Sequence, residues 1–310
     1  MGKRIVVFGS ANMDLVVRVE RLPRAGETLL GGDLQFVPGG KGANQACAAA
    51  RLGGHVSMAG AVGTDSFGPA LLASLEAAGV DTVGMARSTK ATGCALISVL
   101  PGGENAILVA SGANMAVEER AAEQFIENCE DVGFLLCQLE TPLEAVSVAL
   151  AAAKAKGAVT ILDPAPARAL PESLLRRVDI LTPNQTEAAL LVGTPGTVIE
   201  SFEAAAAAAA RLREMGCAAV IVKLGAAGCW IDEGERRAAA PGFAVEAVDT
   251  TAAGDVFNGA LAVALAEGKP LAEAARFANA AAAISVTRAG AQTSVPRREE
   301  VERFLAGTMS

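Results

Sequence analysis

The chain has 310 residues, 52% of them hydrophobic, and a formal net charge of −8, which is length and apolar content enough for one large core. An acidic chain with no basic block is a poor match for a phosphate backbone, which argues against a nucleic-acid partner. Charges break every long apolar stretch, as Lys154 and Lys156 do after 147–153, so no segment reads as a membrane span. Six scattered cysteines without a C-x-x-C pair and a single histidine, His55, speak against zinc and for reduced thiols in the cytoplasm. Asp14, Arg18 and Glu20 follow Lys3 and Arg4 too closely for an export signal.

The first apolar run, 5–8, reads as a strand, and Asn12 and Asp14 come after it. An Asn-x-Asp there is ordinarily a turn. It also suits a polyol, since a carboxylate accepts bonds from neighbouring hydroxyls while an amide both donates and accepts. Residues 15–38 have period-two character with Gly and Pro punctuation. Gly39-Gly40-Lys41-Gly42-Ala43-Asn44 then leads into a helix starting near Ala43. This segment lacks the spacing of a phosphate-binding P-loop, because Lys41 follows two adjacent glycines with no Ser or Thr after it.

A strand at 56–61 and a helix from Ser66 follow, and residues 93–110 return to period two around Pro101-Gly102-Gly103. Next come a helix from Val117, a strand at 134–139 ending before Glu140, a helix from Pro142, and short strands at 159–162 and 180–181. Asn184 and Glu187 stand three apart at the start of a helix near Gln185, a spacing that fits a capping box and equally a shared polar face. The helix from Ser201 contains an alanine run, 204–210, that favours helix and carries no chemistry. Strand 220–224 runs into Gly225-Ala226-Ala227-Gly228, a glycine-bearing turn common in any α/β protein. The last helices start near Gly254 and Leu271.

Alternation of short strands with longer helices predicts an α/β fold, a parallel sheet covered by helices, in a single unit spanning 1–310. Residues 15–38 and 93–110 predict a small antiparallel sheet projecting from it. Such a sheet needs a cover, from substrate or from a second subunit. Ligands of open α/β sheets bind beyond the carboxyl ends of the strands, and Asn12, Asp14, Glu140, Asn184, Glu187 and 225–228 all follow strands in this way.

Val248-Asp249-Thr250-Thr251-Ala252-Ala253-Gly254-Asp255 sets three small residues and a carboxylate at the start of an apolar helix. Unpaired N–H groups of a first helical turn can hold a developing phosphate charge, and Asp255 would stand beside that anion to take a hydroxyl proton. A lone first-turn acid more commonly just stabilises its helix.

Taken together, the segments at 39–44 and 248–255 resemble the two signatures of the PfkB, or ribokinase, family of carbohydrate kinases. The likeness runs from Ser10-Ala11-Asn12-Met13-Asp14 through Leu139-Glu140-Thr141-Pro142 and Thr182-Pro183-Asn184-Gln185-Thr186-Glu187 to Thr287-Arg288-Ala289-Gly290-Ala291-Gln292. Ala252-Ala253 and Asp163-Pro164-Ala165-Pro166-Ala167-Arg168 lean toward its ribose-specific branch.

The resemblance implies a three-layer α/β/α sandwich with a small β lid over the sugar that also forms a homodimer contact. It implies that Asp255 is the catalytic base, with Ala252, Ala253 and Gly254 as anion hole. It further implies that Asn12, Asp14, Gly40, Lys41, Gly42, Ala43, Asn44 and Glu140 contact the sugar. For MgATP, it implies Asn184 and Glu187 near the triphosphate and Mg²⁺, Lys223, Leu224, Gly225, Ala226, Ala227 and Gly228 as nucleotide loop together with Gly254, and Asn279 near the adenine. Asp249, Thr251, Ser285, Arg288, Gly290 and Ser294 match positions that surround K⁺. Lys223 and Asn279 depart from the family's common residues, a small hydroxyl residue and His.

The implied reaction is ATP-dependent phosphorylation of D-ribose at its 5-hydroxyl. A fructose- or adenosine-directed member would share base and anion hole, and a sugar-binding regulator on the same scaffold would lack turnover. A nicotinamide-dependent dehydrogenase fits poorly, because Phe8-Gly9-Ser10-Ala11-Asn12 lacks the G-x-G-x-x-G fingerprint.

Overall fold

A computed structural model describes residues 3–102 and 104–308; Gly103 of the second period-two stretch, and positions 1, 2, 309 and 310 of the expected unit, lie outside the described residues. The elements in chain order are β1 (Arg4–Phe8), β2 (Asn12–Arg18), β3 (Gln35–Gly39), α1 (Lys41–Arg51), β4 (Val56–Gly63), α2 (Phe67–Ala77), β5 (Asp81–Ser88), β6 (Gly93–Val99) and β7 (Asn105–Ala110). Then follow α3 (Glu119–Asn128), β8 (Val132–Cys137), α4 (Leu143–Ala155), β9 (Val159–Leu162), α5 (Glu172–Leu175), β10 (Ile180–Leu181), α6 (Gln185–Leu191) and α7 (Phe202–Glu214). The chain closes with β11 (Ala219–Lys223), β12 (Gly228–Asp232), β13 (Arg237–Pro241), α8 (Ala253–Ala266), α9 (Leu271–Ser285) and α10 (Arg298–Gly307).

Nine strands form one sheet in the order β13-β12-β11-β10-β9-β8-β1-β4-β5, parallel from β11 to β5. Successive side chains of a strand point to opposite faces, so Ile5 and Val7 enter one apolar cluster with α1, α2, α8, α9 and α10, while Val6 and Phe8 enter the other with α3 to α7. Burial on both faces is why β1, β4 and β8 read as continuous apolar runs.

The strands without a clear sequence signal lie at the sheet's margins. β5 is an exposed edge with alternating polar residues, and β12 and β13 are an antiparallel hairpin whose Ala238, Ala239 and Ala240 carry no β-branched signature. Helix α10, rich in Arg and Glu, buries little beyond Val301.

The smaller sheet has the order β3-β2-β6-β7. Its outer pairs, β2 with β3 and β6 with β7, are antiparallel, but the central β2–β6 pair is parallel. The small antiparallel sheet expected from the sequence is thus present, with one parallel pair at its centre. β2 and β6 each leave the same carboxyl edge of the large sheet, after β1 and β5, and so run the same way. Phe36, Leu15, Leu96 and Leu108 stand opposite one another across the four strands, as do Val37, Asp14, Ala95 and Val109 in the adjacent row.

α1 and α8 pack through small residues. A Cβ added at Gly259 would lie 2.7 Å from both Ala48 Cβ and the Gln45 carbonyl oxygen, and 2.8 Å from Ala49 N. Asp255 lies four residues before Gly259 on the same helical face, so this contact also sets Asp255 against the start of α1. Gly259→Ala is expected to cost about 1–3 kcal/mol through overpacking against backbone. A urea-unfolding midpoint equal to that of the unaltered protein would show that the two helices separate freely.

Candidate active site

From β1 the chain steps to β4 and β5 on one side, and from β8 to β9, β10 and β11 on the other. That reversal leaves a crevice at the carboxyl ends of the strands, where ligands of this architecture bind. A cavity of about 370 Å³ opens there, lined by Lys41, Asp163, Ala165, Asn184, Gln185, Thr186, Glu187, Lys223, Gly225, Thr250, Ala252, Ala253, Gly254 and Asp255.

Helix α8 points its N-terminus into this cavity. Its N-cap, Ala252, has φ 58° and ψ 14°, a left-handed conformation that costs a non-glycine residue roughly 1–2 kcal/mol, and no side chain caps the helix. The Ala253 N–H turns back to the Thr250 carbonyl at 3.2 Å. Among the described residues, the N–H groups of Ala252, Gly254 and Asp255 have no protein acceptor. These donors and the positive end of the helix dipole make an anion site.

Asp255 is 5% exposed. Asn44 Nδ2 donates to its Oδ2 at 3.0 Å and Gln45 Nε2 to its Oδ1 at 3.1 Å. Gln45 Nε2 also donates to Asp163 Oδ2 at 3.0 Å, and Lys223 Nζ donates to Asp163 Oδ1 at 3.0 Å. Burial pushes Asp255 up to about 6; Lys41 opposes this, the Asp163 charge adds to it, and the two amides pull it back.

On the side of the small sheet, Asn12 and Asp14 lie on β2, paired with Gly39 and Val37 of β3. Burial raises Asp14 to about 7, with help from the charges of Glu140 and Asp255, which places all three acids in one field. Glu140 Oε2 accepts from Ser10 Oγ at 2.5 Å and from the Lys41 N–H at 3.1 Å, tying the ends of β1 and β8 to the start of α1. Gly40 has φ 89°, and a Cβ there would meet Asn12 N at 2.7 Å, so only glycine lets this loop lie against β2. Gly42 and Ala43 are buried and serve through backbone: the Ala43 N–H donates to the Ser10 carbonyl at 2.8 Å. Burial works against the Lys41 charge, yet the combined field of Asp255, Asp163, Glu140 and Glu187 raises its pKa.

Asn184 and Glu187 form a complete capping box on α6: Asn184 Oδ1 accepts from the Thr186 and Glu187 N–H groups, and Glu187 accepts from Asn184 N. Both side chains also line the cavity, so the two sequence readings hold at once. Burial raises Glu187, aided by Asp163 and opposed by Lys223. Of the expected nucleotide loop, Lys223 and Gly225 reach the cavity, Leu224 is buried, and Gly228 begins β12. Asn279 stands apart from the cavity lining: its Nδ2 donates to the Ala240 carbonyl at 2.9 Å, holding α9 to β13.

Of the expected cation positions, Asp249, Thr251 and Gly290 are joined by hydrogen bonds. The Val248 N–H donates to the Val286 carbonyl at 2.7 Å, and Asp249 accepts from the Thr251 N–H at 2.9 Å and the Gly290 N–H at 2.8 Å. Although burial disfavours its charge, those donors hold Asp249 below the usual carboxylate range. The Arg288 side chain turns away to Glu300, and the Ser285 and Ser294 hydroxyls donate to the carbonyls of Ala282 and Ala291. Among the described residues no group of three His, Cys, Asp or Glu side chains is set to hold a metal ion.

Sequence reasoning passed over Gln45, Gln138, Asp163 and Gln292. Gln138 donates to Gln45 Oε1 at 2.7 Å and Gln292 to Asn44 Oδ1 at 3.3 Å. Asp163 directly follows β9 and Gln138 directly follows β8, so the carboxyl-end rule could have found both; Gln45 and Gln292 left no signal.

The raised acids give a pH prediction. A carboxyl whose folded pKa exceeds its unfolded value of about 3.9 is protonated in the fold where the open chain has already ionised. Its cost to stability is therefore absent below about pH 4 and grows as pH rises through 6 for Asp255 and 7 for Asp14. Asp14→Asn is expected to raise the melting temperature, relative to the unaltered protein, more at pH 8 than at pH 5. A pH-independent difference would remove Asp14 from the shared field.

The model of the pfkB family carbohydrate kinases matches residues 2–298. A ribokinase of Haemophilus influenzae is 43% identical over 98% of this chain and 99% of its own length, and a ribokinase of Bacillus subtilis is 44% identical over 98% and 100%. The solved structure of Arabidopsis thaliana ribokinase complexed with ribose and ATP superimposes with a TM-score of 0.90 at 36% identity, covering 98% of this chain and 99% of that one. With the two signature segments meeting at Asp255, in a fold shared along the whole length, the chain belongs to the pfkB family of carbohydrate kinases.

Proposed function

We propose that this protein is an ATP-dependent D-ribose kinase that moves the γ-phosphoryl group of MgATP to the sugar's 5-hydroxyl, giving ribose 5-phosphate and ADP. One observation carries the reading: a buried carboxylate, Asp255, stands in the first turn of an uncapped helix whose N–H groups open into the cavity. The full-length ribokinase relatives support the choice of sugar.

Asp255 is the base. At about 6 its pKa leaves it mostly ionised at neutral pH yet close enough to take a proton readily. Asn44 and Gln45 each occupy one of its oxygens, fixing the carboxylate while leaving lone pairs for the hydroxyl. Phosphoryl transfer is loose, so most of the catalysis is positioning and charge stabilisation, the task of the N–H donors at 252–255. Asn12, Asp14, Lys41 and Glu140 present the sugar, with Gly40, Gly42, Ala43 and Asn44 shaping its pocket. The Asn279 amide, spent on Ala240, supports the wall near an adenine without bonding to it.

Glu187 and Asn184 fit a hydrated Mg²⁺, since their oxygens line the cavity but are partly engaged with each other. When bound, Mg²⁺ would neutralise triphosphate charge, with its retained waters reaching Glu187 and Asn184. A monovalent cation would be held by the Asp249 carboxylate and the carbonyls of Thr251, Ser285, Arg288, Gly290 and Ser294, steadying the peptide units before Ala252.

The small sheet is apolar on both faces, and Leu96, Ile107, Leu108 and Val109 are 47–67% exposed. That supports a homodimer formed through it. Six cysteines without a disulfide, and no helix among the described residues long and apolar enough to cross a membrane, support a cytoplasmic protein.

A coupled assay over ribose, 2-deoxyribose, fructose and adenosine, run in KCl and in LiCl at equal ionic strength, is expected to give the highest kcat/KM with ribose and the higher kcat in KCl. Preference for fructose or adenosine would overturn the substrate, and equal rates in the two salts the cation. Asp255→Asn is expected to keep ribose binding by calorimetry and to lose on the order of 10²–10⁴ in kcat. Near-normal turnover would exclude Asp255 as the base.

A further inference from the structure

Lys223 ends β11, and its ammonium forms an ion pair with Asp163 at 3.0 Å, the two side chains being 12% and 4% exposed. A buried ion pair adds little net stability, because desolvation offsets the attraction, so the pair calls for another reason. Asp163 is fastened in turn by Gln45, the same amide that donates to Asp255. Lys223 is thus linked to the base by a chain of three hydrogen bonds, through Asp163 and Gln45. On its other side it faces α8: a Cβ built on Gly254 would meet Lys223 Nζ at 3.4 Å and nothing else within 4 Å. The cation therefore stands over the helical turn whose Gly254 and Asp255 N–H groups lack a protein acceptor among the described residues. Glu187 feels its charge from the same cavity.

We propose that Lys223 is a further catalytic residue that contacts the transferred phosphoryl group directly, with Asp163 as its tether. The inference rests on the kinase reading above. An ammonium carries three donors on a flexible stem. One can stay on Asp163 while another reaches an equatorial oxygen of the phosphoryl group. As the sugar oxygen bonds to phosphorus and the bond to the ADP oxygen breaks, the hydroxyl proton passes to Asp255 and Lys223 keeps all of its own. Its role is electrostatic, added to that of the helix N-terminus.

A purely indirect role makes a different prediction. If Lys223 only neutralised Asp163, removing it would make Asp255 harder to ionise, and the loss would vanish in alkaline buffer, where Asp255 is ionised regardless. A contact to the phosphoryl group is lost at every pH.

The test uses full-length Lys223→Met and Lys223→Arg. With Mg²⁺ present, calorimetry of Lys223→Met is expected to show AMP-PNP bound about tenfold more weakly and ADP within about twofold of the unaltered protein, the loss typical of one charge-assisted bond to the terminal phosphate. Its kcat is expected to fall about 10²-fold at both pH 7.5 and pH 8.5, with partial recovery in Lys223→Arg. An unchanged AMP-PNP-to-ADP ratio, equal loss of both nucleotides, or turnover that recovers by pH 8.5 would each overturn the proposal. Because the nucleotide arm needs no sugar, it decides on Lys223 even if the panel above overturns ribose as the substrate.

Discussion

Everything at this site depends on keeping one buried carboxylate charged, and the bonds from Asn44 and Gln45 to Asp255 do so. An ionised acid at 5% exposure is costly unless donors replace the water it has lost. An amide can present either end, so its orientation must itself be fixed. Gln138 donates to the Gln45 oxygen and Gln292 to the Asn44 oxygen. Each amide therefore has its acceptor end satisfied elsewhere and only its donor end left for Asp255. The backbone arrangement serves the same contact, since small residues on α1 and Gly259 on α8 let the two helices approach closely enough for side chains this short to meet.

Charge in the site is unbalanced. Asp14, Glu140, Asp163, Glu187 and Asp255 are gathered around Lys41 and Lys223; burial, with neighbouring acids adding to it, raises the pKa of Asp14, Glu187 and Asp255, and against burial the acids raise that of Lys41. A protein selected for stability alone would not keep such a cluster. The left-handed Ala252 is a second local cost at the same place. An anion arriving with its cations would give the α8 N–H groups an acceptor and the excess carboxylates a counter-charge.

The large sheet was legible because its central strands are buried on both faces and therefore spell out apolar runs, and the helices because turns and polar residues mark their starts. The margins were not. β5 is exposed, β12 is a five-residue strand that starts with Gly228 and has a single β-branched residue, Ile231, and β13 is exposed and alanine-rich. In the site, residues directly after strands could be read from position alone, and Asp255 from the small residues before it. Gln45 could not, because it gains its meaning only when α1 lies beside both Asp255 and Gln138. The parallel β2–β6 pair was hidden for a similar reason: strand direction depends on where each strand leaves the large sheet, and no residue pattern records that.

The small sheet divides its work along its length. At its root, Asn114 bonds to the Ala11 backbone and to Asn12 Oδ1 at 2.7 Å, while Asp65 accepts from the Thr92 N–H at 2.6 Å, just before β6 begins. Those buried or half-buried bonds fix the crossings from the large sheet and hold Asn12 and Asp14 at the cavity edge. Further out, Leu96, Ile107 and Leu108 are exposed, while Phe36, in the row of Leu96 and Leu108, meets Phe67 of α2 with ring centroids 5.9 Å apart. A sheet anchored firmly at one end and apolar on both faces at the other has its polar chemistry at the root and its unmet hydrophobic area at the tip. The polar groups at the root are thereby kept apart from the exposed apolar area at the tip.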